Sequence, residues 1–228
     1  MNTSAPVLAK PAILAAYQRG DIFISPFNER QVKNSSYDVR LGEWYYEEQP
    51  GAAWNHSNLL NPYDKDSVAA MWGEPKKAQP LDRDLPGIPK GTPVIQVPRG
   101  GFLLCHTEEF IGTTDLVHTT MIKARSTTGR SGIQVCACAG WGDISWAQRW
   151  TLEVVNNTKR DVLLVSGRRI GQIVFIPTTG IEPQDAYHQG GKYQSSDVKG
   201  KTHEQLLAEW KPEMMLPKAY LDYEVLAP

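Results

Sequence analysis

The chain has 228 residues, a formal net charge of −1 and a mean hydropathy of −0.40. That length suits a single β domain with a sizeable core, and the balanced charge argues against general affinity for nucleic acid or membrane. No apolar run approaches the roughly 18 residues that span a bilayer, no signal-peptide pattern is present, and three cysteines in apolar settings make no disulfide framework. A reducing, cytoplasmic setting is expected.

Residues 11–20 predict a short helix, with Pro11 in its first turn, Arg19 near its end and Gly20 beyond it. Residues 36–42 alternate apolar and polar side chains as a strand does. From 51 to 91 the composition turns to Pro, Asn, Asp, Lys and Trp without period, which reads as a long loop or insertion ordered in part by Trp54 and Trp72. We place both this insertion and the last helix on the outside of the assembly. Strands are expected at 92–97, 102–107, 116–124, 132–139, 148–156, 162–165 and 171–176. Cys136 and Cys138 would then alternate on one strand and share a face. After Pro177 the chain becomes polar and Gly-rich, and a last helix at 202–210 carries a capping Thr202, Gln205 in its third position and Pro212 as its stop. Many short strands between turns point to a sandwich or small barrel.

The chemistry concentrates between Arg125 and Glu153. Arg125-Ser126-Thr127-Thr128-Gly129-Arg130 sets two arginines around hydroxyls, a composition suited to phosphate oxygens. Glu153 lies within Trp150-Thr151-Leu152-Glu153-Val154, and a carboxylate in an apolar strand is costly without a task or a partner. Pairing with Arg149 is the plain alternative, as turn formation is for Asp143. His106-Thr107-Glu108 resembles the His-x-Glu of zinc deaminases, but Cys136 and Cys138 lack the Cys-x-x-Cys spacing. No zinc is expected, and water activation then falls to a carboxylate such as Glu153.

In these blocks the chain resembles the dCTP deaminases of the dUTPase-like superfamily. The resemblance rests on Arg125 to Gly132, then Asp143-Ile144-Ser145-Trp146, then Thr151-Leu152-Glu153 ten residues after the aspartate. Ser35 to Gly42, Arg169-Ile170-Gly171-Gln172 and Lys192-Tyr193-Gln194 add to it, and it covers about residues 11–196 apart from the insertion. It implies a mainly β, dUTPase-like β-clip or distorted jelly-roll barrel with short terminal helices. One domain would span 1–228, with an insertion at 51–91 and a lid, tail and helix over 187–228.

The resemblance implies hydrolytic deamination of dCTP to dUTP in a homotrimer whose sites lie between subunits. Glu153 would be the base that activates water, with Arg130 and Ser126 beside that water. Arg125, Thr127 and Thr128 would grip a triphosphate carrying Mg2+, with dTTP expected as an inhibitor. Asp143 would hold the sugar 3′-hydroxyl, Trp146 would pack by the deoxyribose, and Tyr187 and Lys192 would close over the phosphates. Ala139, Thr151, Leu152, Gln172 and Ser196 complete the implied contact set. Ile144-Ser145 replaces the family's Pro-Gly, Trp141 a basic residue, Cys136 a histidine and Ser196 a glutamine. A dUTP diphosphatase, a bifunctional enzyme, a deaminase of modified dCTP and a nucleotide-sensing protein without turnover remain the alternatives.

Overall fold

The structure, a computed structural model, describes residues 6–49, 59–194 and 196–222. Helix α1 (Lys10–Arg19) carries its proline in the first turn and ends on Gly20 at φ 80°, a left-handed cap that glycine adopts without penalty. Strands β1 (Ile22–Ser25) and β2 (Tyr37–Glu47) follow. β2 runs past the expected stop at Gly42, because a β-bulge lets it continue along its partner strand.

The region read as an irregular insertion contains a helix, α2 (Lys65–Trp72), and two short strands, β3 (Lys76–Lys77) and β4 (Gln79–Pro80). The Asp64 side chain caps α2 by accepting from the Ser67 N–H at 3.0 Å. Trp72 is buried as expected, whereas Trp54 lies outside the described residues.

Next come β5 (Pro93–Val97), β6 (Phe102–Thr113), β7 (His118–Ala124), the short helix α3 (Ser126–Arg130) and β8 (Ile133–Gln134). They are followed by β9 (Trp141–Gly142), β10 (Ala147–Asn156), β11 (Val162–Val165) and β12 (Arg169–Pro177). The expected strand at 132–139 is cut to two residues. Ala137 sits at φ 35° and the Ala139 N–H bonds the Cys136 carbonyl at 2.7 Å, so the chain turns out of the sheet. Cys136 and Cys138 therefore flank a turn and do not share a strand face. All three cysteines are free.

The large sheet runs β8-β10-β6-β2-β12-β7-β9, with β1 on β6 and β3 on β2, and its assigned pairings are antiparallel. A second sheet runs β11-β5-β4. The main core lies between their apolar faces and includes Tyr37, Ile95, Ile122 and Phe175. A second cluster joins Val68 and Trp72 of α2 to Leu104 and Phe110 of β6 and to Leu206, Trp210 and Met215 near the C-terminal end. The insertion and the tail thus pack over one face of the β6–β10 pair. Each large side chain buried there contributes roughly 1.5–3 kcal/mol.

The last helix, α4 (His203–Glu209), has the expected capping box, with Thr202 and Gln205 satisfying each other's backbone. Pro212 opens a further 3-10 turn, Pro212–Met215. No helix among the described residues is long and apolar enough to cross a membrane.

Candidate active site

The alternation of β10 turns Leu152 and Val154 into the core and leaves Thr151 and Glu153 on the opposite face. Register places Glu153 opposite Leu104 and Thr151 opposite His106 on β6. Leu104, Thr151 and Glu153 line a cleft of about 670 Å³. Of the residues picked out in the sequence, Ala139, Asp143, Trp146, Thr151, Glu153, Tyr187 and Lys192 line it.

Glu153 makes no ion pair among the described residues, so the plain alternative of pairing with Arg149 does not occur. Burial raises its carboxyl pKa above the ordinary range, and the Ala139 backbone N–H pulls the other way. Asp143 stands exposed at the rim, where the cleft walls also push its pKa upward. Trp146 meets Trp150 edge to face at 4.7 Å.

The Asp143 turn keeps the backbone that a glycine would give it. Ser145 adopts φ 68°, its N–H donates to Thr113 Oγ1 at 3.1 Å, and its hydroxyl contacts the His188 ring. A non-glycine residue in this region costs about 1–2 kcal/mol. Ser145→Gly is therefore expected to be more stable than Ser145→Ala by roughly 1 kcal/mol in denaturant melts. Both variants lose the hydroxyl, so equal midpoints would remove the conformational argument.

The segment after β12 is tied down beside this turn. Gln194 is buried, accepts from the Ala147 N–H at 2.8 Å and donates to the Ser196 carbonyl at 2.9 Å. The Tyr187 hydroxyl receives the Tyr193 N–H at 3.4 Å, and burial raises its pKa. Lys192 is ion-paired with Asp222, and its carbonyl accepts from Lys218 Nζ at 2.9 Å.

The remaining predicted residues lie elsewhere. Ser126, Thr127 and Arg130 are exposed on α3, while the Thr128 hydroxyl ties that helix to the Ile170 carbonyl at 2.9 Å. Arg125 meets buried Asp38 at 3.3 Å, which also holds Arg169 at 3.0 Å. It lines a second, basic cleft of about 620 Å³ with Arg30, Lys33, Arg40, Arg168 and Arg169. Leu152 is fully buried, so only its backbone can face the cleft. Gln172 pairs opposite Asp38 within the sheet, and exposed Ser196 accepts from Lys201 Nζ at 2.9 Å. The Arg125–Arg130 block and Glu153 are therefore not joined within one chain, whereas Tyr187 and Lys192 share the cleft of Glu153.

His106 is not poised as a metal ligand. It is fully buried, with Nδ1 at 2.7 Å from the Thr107 carbonyl and Nε2 at 3.2 Å from the Trp44 N–H. Burial, and then Arg149, lower its pKa to about 3, so the ring stays neutral. Among the described residues no three His, Cys, Asp or Glu side chains converge as a metal-binding group.

Several residues of the cleft wall carried no sequence motif: Trp72, Phe102, Arg149, Trp210 and Met214. The insertion and the tail both supply walls of the cleft. Only the unusual number of tryptophans, seven, hinted at them.

A family model described as dCTP deaminase-like matches residues 7–178. The chain belongs to this family. It is 31% identical over 188 residues to a protein of Methanosphaerula palustris named "dCTP deaminase, dUMP-forming", covering 82% of this chain and 90% of the relative. A protein of Methanoregula boonei with the same name is 32% identical over 82% of this chain and 91% of its own length. A "dCTP deaminase" of Halorubrum lacusprofundi is 29% identical over 84% and 87%. The solved 2′-deoxycytidine 5′-triphosphate deaminase of Agrobacterium tumefaciens superposes with a TM-score of 0.51 at 18% identity. That match covers 75% of this chain but only 48% of the solved one, and it supports the mainly β, dUTPase-like fold.

Proposed function

We propose that this protein deaminates dCTP by metal-independent activation of water and carries the nucleotide on to dUMP. The observation that carries the deaminase reading is Glu153: a strand carboxylate without an ion-pair partner among the described residues, shielded in an aromatic cleft, ten residues beyond Asp143. Family membership and the names of the relatives support the same substrate.

Glu153 takes a proton from water as the water oxygen bonds to cytosine C4, and passes it to N3. Glu153 then takes the proton of the new C4 hydroxyl and gives it to the amino group, so that the C4–N bond breaks, ammonia leaves and the 4-carbonyl of uracil forms. Thr151 and the Ala139 backbone border this carboxylate, Asp143 accepts from the sugar 3′-hydroxyl, and Trp146 packs against the deoxyribose. The product named at first, dUTP, becomes an intermediate. Because the first relatives are named dUMP-forming, a second water is proposed to split dUTP into dUMP and pyrophosphate.

The triphosphate needs cations that this cleft lacks. Lys192 is already paired with Asp222, and Arg149 lies against Phe110 and Trp210. Arg125 of the basic cleft and exposed Thr127 supply the missing anion-binding groups from a neighbouring subunit of a homotrimer, and exposed Ser126 and Arg130 of the same block reach the water beside Glu153. Mg2+ fits as an ion carried by the triphosphate, where it offsets phosphate charge. No cluster of protein carboxylates is needed to hold it.

Incubation with dCTP and separately dUTP, reading ammonia, pyrophosphate and nucleotides, tests the reading. Ammonia and dUMP from dCTP are expected; dUTP accumulation would remove the second step, and no ammonia would remove the first. The shared site is tested by mixing. Glu153→Gln and Arg125→Ala subunits, each inactive alone, should recover about a quarter of wild-type activity after random reassembly into trimers. Recovery of none would place both groups in sites drawn from one chain.

A further inference from the structure

Among the described residues, Arg149 and Lys192 are the cations that line the cleft, against the carboxylates of Asp143 and Glu153. Arg149 is engaged. Its Nε donates to the Glu108 carbonyl at 3.2 Å, and its guanidinium stands 4.9 and 4.7 Å from the Phe110 and Trp210 rings. Lys192 is thus the cation this chain can turn toward the anionic end of a nucleotide. Tyr187 ties it to the Asp143 side of the cleft: burial raises the pKa of that hydroxyl, Asp143 adds to the rise and Lys192 opposes it. Both charges therefore act at one group.

That lysine is occupied by the chain itself. Its ammonium is paired with the Asp222 carboxylate, and the two side chains keep 35% and 38% of their surface exposed. The segment before Asp222 brings it there. Pro217 lines the cleft, and the Lys218 N–H donates to the Tyr193 hydroxyl at 3.2 Å. Lys218 Nζ donates to the Lys192 carbonyl at 2.9 Å and lies 5.2 Å from the Tyr193 ring centroid. A 3-10 turn, Ala219–Leu221, then leads to Asp222. Lys192 is held at its carbonyl by Lys218 and at its ammonium by Asp222, a residue beyond the 7–178 span that matches the family model.

Charge sets the two anions against each other. Arg149 and Lys192 offset Asp143 and Glu153, so Asp222 leaves the cleft with one negative charge in excess. A phosphate reaching Lys192 would meet a carboxylate on the same ammonium, and like charges about 4 Å apart repel by roughly 1 kcal/mol even in bulk water. We propose that Asp222 is an autoinhibitory stand-in for phosphate, seated on Lys192 by the C-terminal segment and displaced when the triphosphate of a deoxycytidine nucleotide takes over the lysine. The pair is exposed enough to exchange. Trp210 and Met215, buried just upstream, keep the carboxylate close as an intramolecular competitor. The nucleotide reading enters only as the identity of the displacing anion.

The test is calorimetric binding of dCTP and of deoxycytidine to Glu153→Gln, with and without Asp222→Asn. The asparagine is expected to tighten dCTP binding roughly threefold, the scale of an exposed pair. It should leave deoxycytidine unchanged, since the nucleoside has no phosphate to compete. Adding Lys192→Met separates this contact from a general charge effect, because Asp222→Asn should then no longer alter dCTP affinity. Equal or weaker dCTP binding by the asparagine variant, or no dCTP binding at all, would overturn the proposal. So would the same gain without Lys192, or a gain shared by deoxycytidine. Turnover by the parent protein keeps the two readings apart. Ammonia from dCTP with no effect of Asp222→Asn would leave the deaminase and remove the stand-in, whereas tighter dCTP binding without ammonia would do the reverse.

Discussion

Replacing Glu153 with glutamine is expected to lower ammonia release from dCTP by on the order of 10³-fold, the scale of a lost general base. Glutamine keeps the size and a hydrogen-bonding oxygen, so nucleotide affinity should change little. Steady-state rates and calorimetric binding on the same preparation check both halves, and a variant retaining a tenth of the rate would end the assignment. The pH profile supplies an independent reading. Burial raises the Glu153 pKa, and the base works only when ionised, so activity is lost as pH falls through a value above the ordinary glutamate range of about 4.3. The stability consequence has the opposite sign. A carboxyl whose folded pKa is raised binds more protons folded than unfolded, so stability falls as pH rises from the unfolded value through the folded one. Above that window the full cost of the buried charge is present. The glutamine variant escapes it and should be at least as stable as the parent at neutral pH.

A second large effect is expected far from the chemistry. Arg40→Met should destabilise the fold by roughly 3–5 kcal/mol, the scale for stripping one partner from a buried ion pair. Glu109 is fully buried, and its Oε1 accepts from Arg40 Nε at 2.7 Å and from Gln31 Nε2 at 2.9 Å. Its Oε2 accepts from the Arg40 backbone N–H at 2.9 Å. Removing the guanidinium leaves two neutral donors and an uncompensated charge in the core. Against a total of about 5–15 kcal/mol, that loss is severe. Chemical denaturation measures it directly. Pairing the change with Glu109→Leu removes the stranded charge and should restore most of the stability, whereas a single variant melting within 1 kcal/mol of the parent would show that Arg40 contributes little.

The strands from β5 onward were legible because period-two patterning and turn residues coincide there, and β10 and β11 match their expected spans within a residue. The expected strand at 132–139 failed because apolar Val135 and Cys136 suit a strand equally well as a buried turn. Composition alone could not separate the two. The helix α2 was hidden by the polar surroundings of an eight-residue segment whose burial depends on contacts with β6 and the tail. On the chemical side, Glu153, Asp143 and Trp146 could be grouped by spacing. That Arg125 to Arg130 would stand apart from them could not, because a linear motif does not say which face of a sheet each block reaches. Trp72, Arg149 and Trp210 were illegible for a related reason: a wall made by three distant segments leaves no local pattern.

The way Gln194 anchors the later segment to Ala147 has a consequence for biosynthesis. Translation delivers Asp143 and Glu153 before residues 187–217, so the emerging chain holds these carboxylates on an uncovered sheet. Only when Trp210 and Met215 settle against β6 and α2 do they wall the cleft. A chain terminated before these residues would thus carry Asp143 and Glu153 without the walls that Trp210 and Met215 supply.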